Sequence, residues 1–187
     1  MTEVSKTTSP ASDERRIYIT FKMGDELFAI DVQYVREVID LSPIARVPTA
    51  PAYLRGVVNV RGKAVPVVDL RRKFNLPDVP PTVNTRILIL DLCVDGEPHV
   101  IGGLADSVHD VIELGTKDLA PPPRLAATWR SEVITGLAEH NGDFIMLLDV
   151  QRVFEFDDLT AVEVPEDMDE LAAAPASETT EQQADAG

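Results

Sequence analysis

Near the start of the chain, Ile17, Ile19 and Phe21 alternate with Tyr18, Thr20 and Lys22, the period-2 pattern that predicts a half-buried strand. Gly24-Asp25 then offers a turn, and Leu27-Phe28-Ala29-Ile30 predicts the returning strand of a hairpin. Behind Asp31, a residue suited to an N-cap, Val32, Val35 and Val38-Ile39 fit one short helix or an irregular strand. Val57–Val60 and Ala64–Val68 flank Arg61-Gly62-Lys63, which predicts a tight hairpin with Gly62 at positive φ. Pro66 has no N–H to give a ladder, so it belongs at an edge or a bulge. Asp69 is placed to cap a short helix whose inner face holds Leu70 and Phe74.

The same sequence of elements returns further on. Arg86–Leu92 predicts a buried strand, Asp95-Gly96 a hairpin, and Asn141-Gly142 between apolar runs the strongest hairpin turn of the chain. Asp149 then precedes Val150, Val153 and Phe154, a second capped helix. Residue by residue, Gly56, Gly62, Asp69 and Phe74 match Gly136, Gly142, Asp149 and Phe154 at one offset of 80 residues. An earlier block, Phe28–Leu41, matches Ile101–Leu114 at an offset of 73, pairing Val35 with Val108 and Glu37 with Asp110. Two blocks matched in the same order imply an internal duplication. Its repeats span about 17–76 and 85–156, and the connector Leu76–Thr85 with three prolines divides them. Gly56, Gly62, Gly136 and Gly142 are its structural glycines. Two small, mostly antiparallel five-stranded barrels with a few short helices, packed together, are the architecture expected.

Charge changes the picture at the C-terminus. The net charge is −15, yet ten of the acids and no Lys or Arg lie from Asp157 onward. Residues 157–187 therefore read as an acidic, disordered tail, with a short helix over Val162–Leu171 left open. Residues 1–15 read as a disordered N-terminal tail without a secretory signal. No run approaches the length of a membrane span, and the lone Cys93 suits a reducing compartment, so a cytoplasmic protein is expected. A chain this acidic is poorly suited to phosphate backbones. The basic run Arg71-Arg72-Lys73 reads first as a solvated helix face, with a protein-binding patch as the competing reading and nucleic acid third.

Catalytic chemistry leaves no signature. His99, His109, His140 and Cys93 have no neighbours at metal-ligand spacing. No nucleophile elbow, phosphate loop or dinucleotide fingerprint is present. Asp69 and Asp149 fall at equivalent helix starts, so capping accounts for both. Gly102-Gly103 reads as a bulge or a close backbone approach. No cofactor, no metal and no enzyme activity are expected.

The run Arg46-Val47-Pro48-Thr49-Ala50-Pro51-Ala52-Tyr53-Leu54-Arg55-Gly56-Val57-Val58-Asn59-Val60-Arg61-Gly62, continued by Val65–Arg71, resembles the signature of CheW-like domains. Phe28–Asp31, Val35–Ile39, Val108–Leu114 and Ile134–Leu137 resemble the same family, so the likeness runs from about Ile17 to Phe156 and predicts a domain over 16–156. The resemblance implies a pair of SH3-like five-stranded barrels and a non-catalytic chemotaxis scaffold. Such a scaffold couples the cytoplasmic tip of methyl-accepting chemoreceptors to the regulatory domain of a CheA-type histidine kinase. It implies a cytoplasmic protein recruited to receptor arrays and monomeric when isolated. A kinase-regulatory or other signalling module of the same fold is the alternative, and a small β-barrel enzyme a remote one.

Carried over by position, the family's receptor groove between the barrels points to Val35, Val38, Val108 and Val111 as apolar contacts. Glu37 and Arg61 take its sensitive charged positions, pairing with one another or with a partner. Gly56 falls where the family needs close backbone approach. Its kinase-facing surface maps to Ile44, Arg46, Pro48 and Tyr53. The valines also fit a core stripe, and Tyr53 a barrel-closing role. The hairpin at Val94–Pro98 is longer than in the shortest members, which predicts a displaced edge of the second barrel, and the acidic tail lies outside the family pattern.

Overall fold

The computed structural model describes residues 14–48, 50–94, 96–122 and 133–154. Its elements run β1 (Arg15–Met23), β2 (Glu26–Asp31), β3 (Val35–Asp40), β4 (Leu54–Val60), β5 (Lys63–Asp69), α1 (Leu70–Lys73), β6 (Arg86–Val94), β7 (Glu97–Ala105), β8 (Ser107–Gly115), β9 (Ile134–His140), β10 (Asp143–Leu148) and α2 (Val150–Val153). The reading of residues 32–39 as helix or irregular strand resolves into both, a 3-10 turn at Val32–Tyr34 capped by Asp31 and then β3. Asp69 and Asp149 cap α1 and α2 by accepting from backbone N–H groups.

The strands form two five-stranded sheets, ordered β8-β1-β2-β10-β9 and β3-β6-β7-β5-β4. The sheets cut across the duplication. Each takes the first two strands of one repeat and the last three of the other, so the two subdomains do not coincide with 17–76 and 85–156. Both sheets curl until their edges meet. Ala45, beyond β3, exchanges two 2.8 Å hydrogen bonds with Val57 of β4, and Ala120, beyond β8, pairs with Leu137 of β9.

Three apolar clusters follow from this arrangement. Tyr18, Ala29, Ile112, Ile145 and Leu147 fill the inside of the first sheet, and Val58, Val65, Val67, Ile87 and Ile89 fill the second. The largest lies between them, built from Phe21, Phe28, Phe74, Leu88, Leu90, Ile101 and Phe154, among others. In β6, Ile87 and Ile89 point into one cluster and Leu88 and Leu90 into the other. An unbroken apolar run is what a strand buried on both faces requires. The same geometry corrects the half-buried reading of β1, where Tyr18 and Thr20 are buried as well as Ile19 and Phe21. Thr20 is satisfied through its hydroxyl, which donates to Asp110 O and accepts from Asp110 N, both at 2.9 Å.

Other boundaries shift too. Strand β1 begins at Arg15, paired with Gly115, one residue inside the expected N-terminal tail. Pro66 sits where β5 pairs with β4 alone, before the β7 ladder starts at Val67. The β6–β7 hairpin is central in its sheet, with continuous register from Arg86↔Ala105 to Val94↔Glu97, so it displaces no edge. The expected helix over Val162–Leu171 and the acidic tail lie outside the described residues.

The basic run of α1 is not a solvated face. Arg71 pairs with Asp106, whose carboxylate also accepts from Gly24 N, and donates to Pro77 O at 2.9 Å. It thereby joins α1 to the β1–β2 turn of the other sheet. Arg72 grips Asp78 at 2.6 Å and donates to Ala52 O, while Lys73 lies 4.7 Å from the centre of the Tyr53 ring. The Arg71 side chain is only 11% exposed. Arg71→Ala is therefore expected to cost about 2 kcal/mol, leaving Asp106 half-compensated. A urea melt checks this, and a loss within experimental error would mean that the Arg71–Asp106 pair does not staple α1 to the β1–β2 turn.

Arg72 holds the Asp78 carboxyl below its ordinary range by hydrogen bonding and by charge. A lowered folded-state pKa contributes stability above the unfolded value of about 3.9, and that contribution is lost as pH falls through the folded value. Proteolysis of the Leu76–Thr85 connector is expected to accelerate below about pH 4, and Asp78→Asn should show that faster cleavage already at neutral pH.

Candidate partner-binding surfaces

The ladder places the mapped valines in equivalent positions. Val35 faces Leu90 and Val38 faces Leu88 on β3, while Val108 faces Phe21 and Val111 faces Ile19 on β8. Phe21 and Leu90 correspond because each also faces the matched pair Phe28 and Ile101. Bulges interrupt both edge strands, between Val35 and Glu37 and between Val108 and Val111, and bulges re-aim the side chains around them. Val35, Val38 and Val108 are half-buried and pack against the inter-sheet core. Val111, at the matching position, is 60% exposed. The first three are thus partly core and partly rim, and Val111 is surface.

Glu37 of β3 meets Arg61 of the β4–β5 turn at 3.1 Å, Arg61 being 80% exposed and Glu37 23%. The turn puts Arg61 at φ 55 and Gly62 at φ 89, and Asn59 Oδ1 accepts from Gly62 N at 2.8 Å. The second repeat has the same backbone angles, with Asn141 at φ 55 and Gly142 at φ 89. The ion pair lines an open groove of about 700 Å³ together with Arg36, Lys63 and His99. Since Arg61 is solvated, the pair adds less than about 1 kcal/mol to the fold.

Gly56 is fixed by the edge closure. A Cβ there would stand 2.0 Å from Ala45 O, and its φ is +134. Gly136 meets the other closure, at 3.3 Å from Ala120 O. Gly102 and Gly103 likewise allow close packing, a Cβ on Gly102 falling 2.8 Å from Ile87.

Of the residues mapped to a kinase surface, Ile44 and Arg46 line a cleft of about 550 Å³ beside the loop joining β3 to β4. Pro48 is exposed on that loop, and Tyr53 is half-buried under Lys73. Arg55, Arg72 and Leu104 also line the cleft. Leu104 comes from the other repeat, so no local signal in the sequence announces it. Phe144, 70% exposed on β10, was also not singled out by the sequence; its exposure follows from its place beside the β9–β10 turn. Among the described residues no group of three His, Cys, Asp or Glu could hold a metal, and no helix is long and apolar enough to cross a membrane.

A family model, the CheW-like domain, matches residues 18–157. The chain belongs to the CheW-like family. The chemotaxis protein CheW of Klebsiella aerogenes is 30% identical over 146 residues, covering 78% of this chain and 86% of that protein. CheW of Rhizobium meliloti is 31% identical over 139 residues, covering 74% and 87%. The solved scaffolding protein TtCheW from Thermoanaerobacter tengcongensis has the same fold, with a TM-score of 0.68 at 25% identity over 81% of this chain and 100% of that one. Family membership makes the chain a chemotaxis scaffold, a protein that works by contact and not by catalysis.

Proposed function

We propose that this chain couples methyl-accepting chemoreceptors to a CheA-type histidine kinase. The match to the CheW-like domain across 18–157 carries the reading. The receptor's cytoplasmic tip contacts the inter-sheet rim through Val35, Val38, Val108 and Val111, with Glu37 and Arg61 beside it. The regulatory domain of the kinase contacts the β3–β4 loop around Ile44, Arg46, Pro48 and Tyr53. This assignment is supported by partial exposure of the valines and by the open cleft at Ile44 and Arg46. Isolated, the chain is a monomer in the cytoplasm, and receptor arrays recruit it by several weak contacts acting together.

Co-sedimentation with receptor-containing membranes, with kinase present or omitted, tests the proposal. The chain is expected to pellet with receptors alone and to raise kinase recovery. Binding to neither partner in any combination would leave the family fold without the coupling role.

A further inference from the structure

In a chain of net charge −15, the cleft beside the β3–β4 loop is an exception. Among the described residues its lining includes Arg46, Arg55 and Arg72 and no carboxylate. Asp78 sits on Arg72 at 2.6 Å and Asp69 lies 3.6 Å from Arg55, so both are partly offset. Arg46 is exposed and has no carboxylate partner among the described residues. Between the arginines the walls are apolar, with Leu41, Val47 and Leu54 contributing. An occupant matching this surface alternates carboxylates with apolar side chains.

The chain carries such a segment. Between Asp157 and Leu171, Leu159, Val162, Val164, Met168 and Leu171 are interleaved with seven acids and no base. The segment follows Phe154, whose ring approaches Gly103 in the core cluster that also contains Leu70, the first residue of α1. From Phe154, the chain to Met168 reaches about 46–50 Å when extended. A tether of this length holds its end at roughly millimolar effective concentration, so a weak site is filled without a partner.

We propose that the acidic segment Asp157–Leu171 docks into the arginine-lined cleft of its own chain. Ile44 and Arg46 belong both to that cleft and to the proposed kinase surface, so the docked segment competes with the kinase. The docking itself does not rest on the coupling role.

The test is paramagnetic relaxation in the full chain. Cys93→Ser and Met168→Cys allow one nitroxide at position 168, and amide broadening is read across the domain. Selective broadening at Ile44, Ala45, Arg46 and Val47 is expected. It should vanish in about 1 M salt, where the Debye length is about 3 Å, and in Arg46→Glu, and persist in Lys117→Glu. Uniform broadening, or broadening at the Arg61 groove instead, would overturn the proposal. So would broadening at the cleft that disappears on dilution with unlabelled chain, since a second copy would then be the host. A folded Arg46→Glu spectrum with unchanged broadening would overturn it as well.

Discussion

Gly56→Ala is expected to destabilise the protein by about 4 kcal/mol, at the far end of what single substitutions do. Two effects act together. At φ +134 an L side chain is strained, and the new Cβ would stand 2.0 Å from Ala45 O and 2.8 Å from Ala45 C. The carbonyl that must retreat is the one accepting from Val57 N at 2.8 Å, so the substitution attacks the bridge closing the second sheet. That bridge also positions Ile44 and Arg46, and the cleft should loosen with it. Gly136 makes the internal control. It occupies the matching place in the first sheet, yet a Cβ there is 3.3 Å from Ala120 O and needs no positive φ. Gly136→Ala should cost about 1 kcal/mol. Urea denaturation of the two variants side by side checks the difference. Equal losses would mean that closure of the second sheet is not what demands glycine.

Arg61→Glu is expected to leave the fold in place and to lower receptor recruitment by about tenfold or more. The side chain is 80% exposed, so its ion pair adds little to stability, and the melting temperature should move by no more than about 3 °C. The reversed charge, by contrast, sits on the rim that the receptor is proposed to cover, and repels whatever Arg61 attracts there. The double variant Glu37→Arg, Arg61→Glu separates the two readings left open by the sequence. If the residues act through each other, the swapped pair restores recruitment. If each faces the receptor, the swap is no better than the single reversal. Unfolding of Arg61→Glu would instead make the residue structural and take it out of the binding surface.

The duplication, the Asn141-Gly142 and Arg61-Gly62 turns and the two Asp caps were all legible, because each rests on residues close in sequence. The exchange of strands between repeats was not. Similarity between Phe28–Leu41 and Ile101–Leu114 is symmetric, and nothing in it says whether β2 will pair with β5 or with β10. The basic helix was misread for the same reason. Arg71 and Arg72 find Asp106, Pro77 and Asp78 through tertiary contact, and charge alone reads as solvation. At the candidate surface, equivalence of Val38 and Val111 was visible as spacing. Their unequal exposure depends on what packs over each edge strand, and only the folded chain provides that.

Receptor control of kinase activity in a reconstituted membrane is the decisive test of the coupling role. Receptors, kinase and this chain are combined, and kinase autophosphorylation is followed with and without receptor ligand. High kinase activity that ligand suppresses is expected only when the chain is present, and that control should be lost with Arg61→Glu. Kinase activity that ligand controls equally well without the chain would contradict the coupling role.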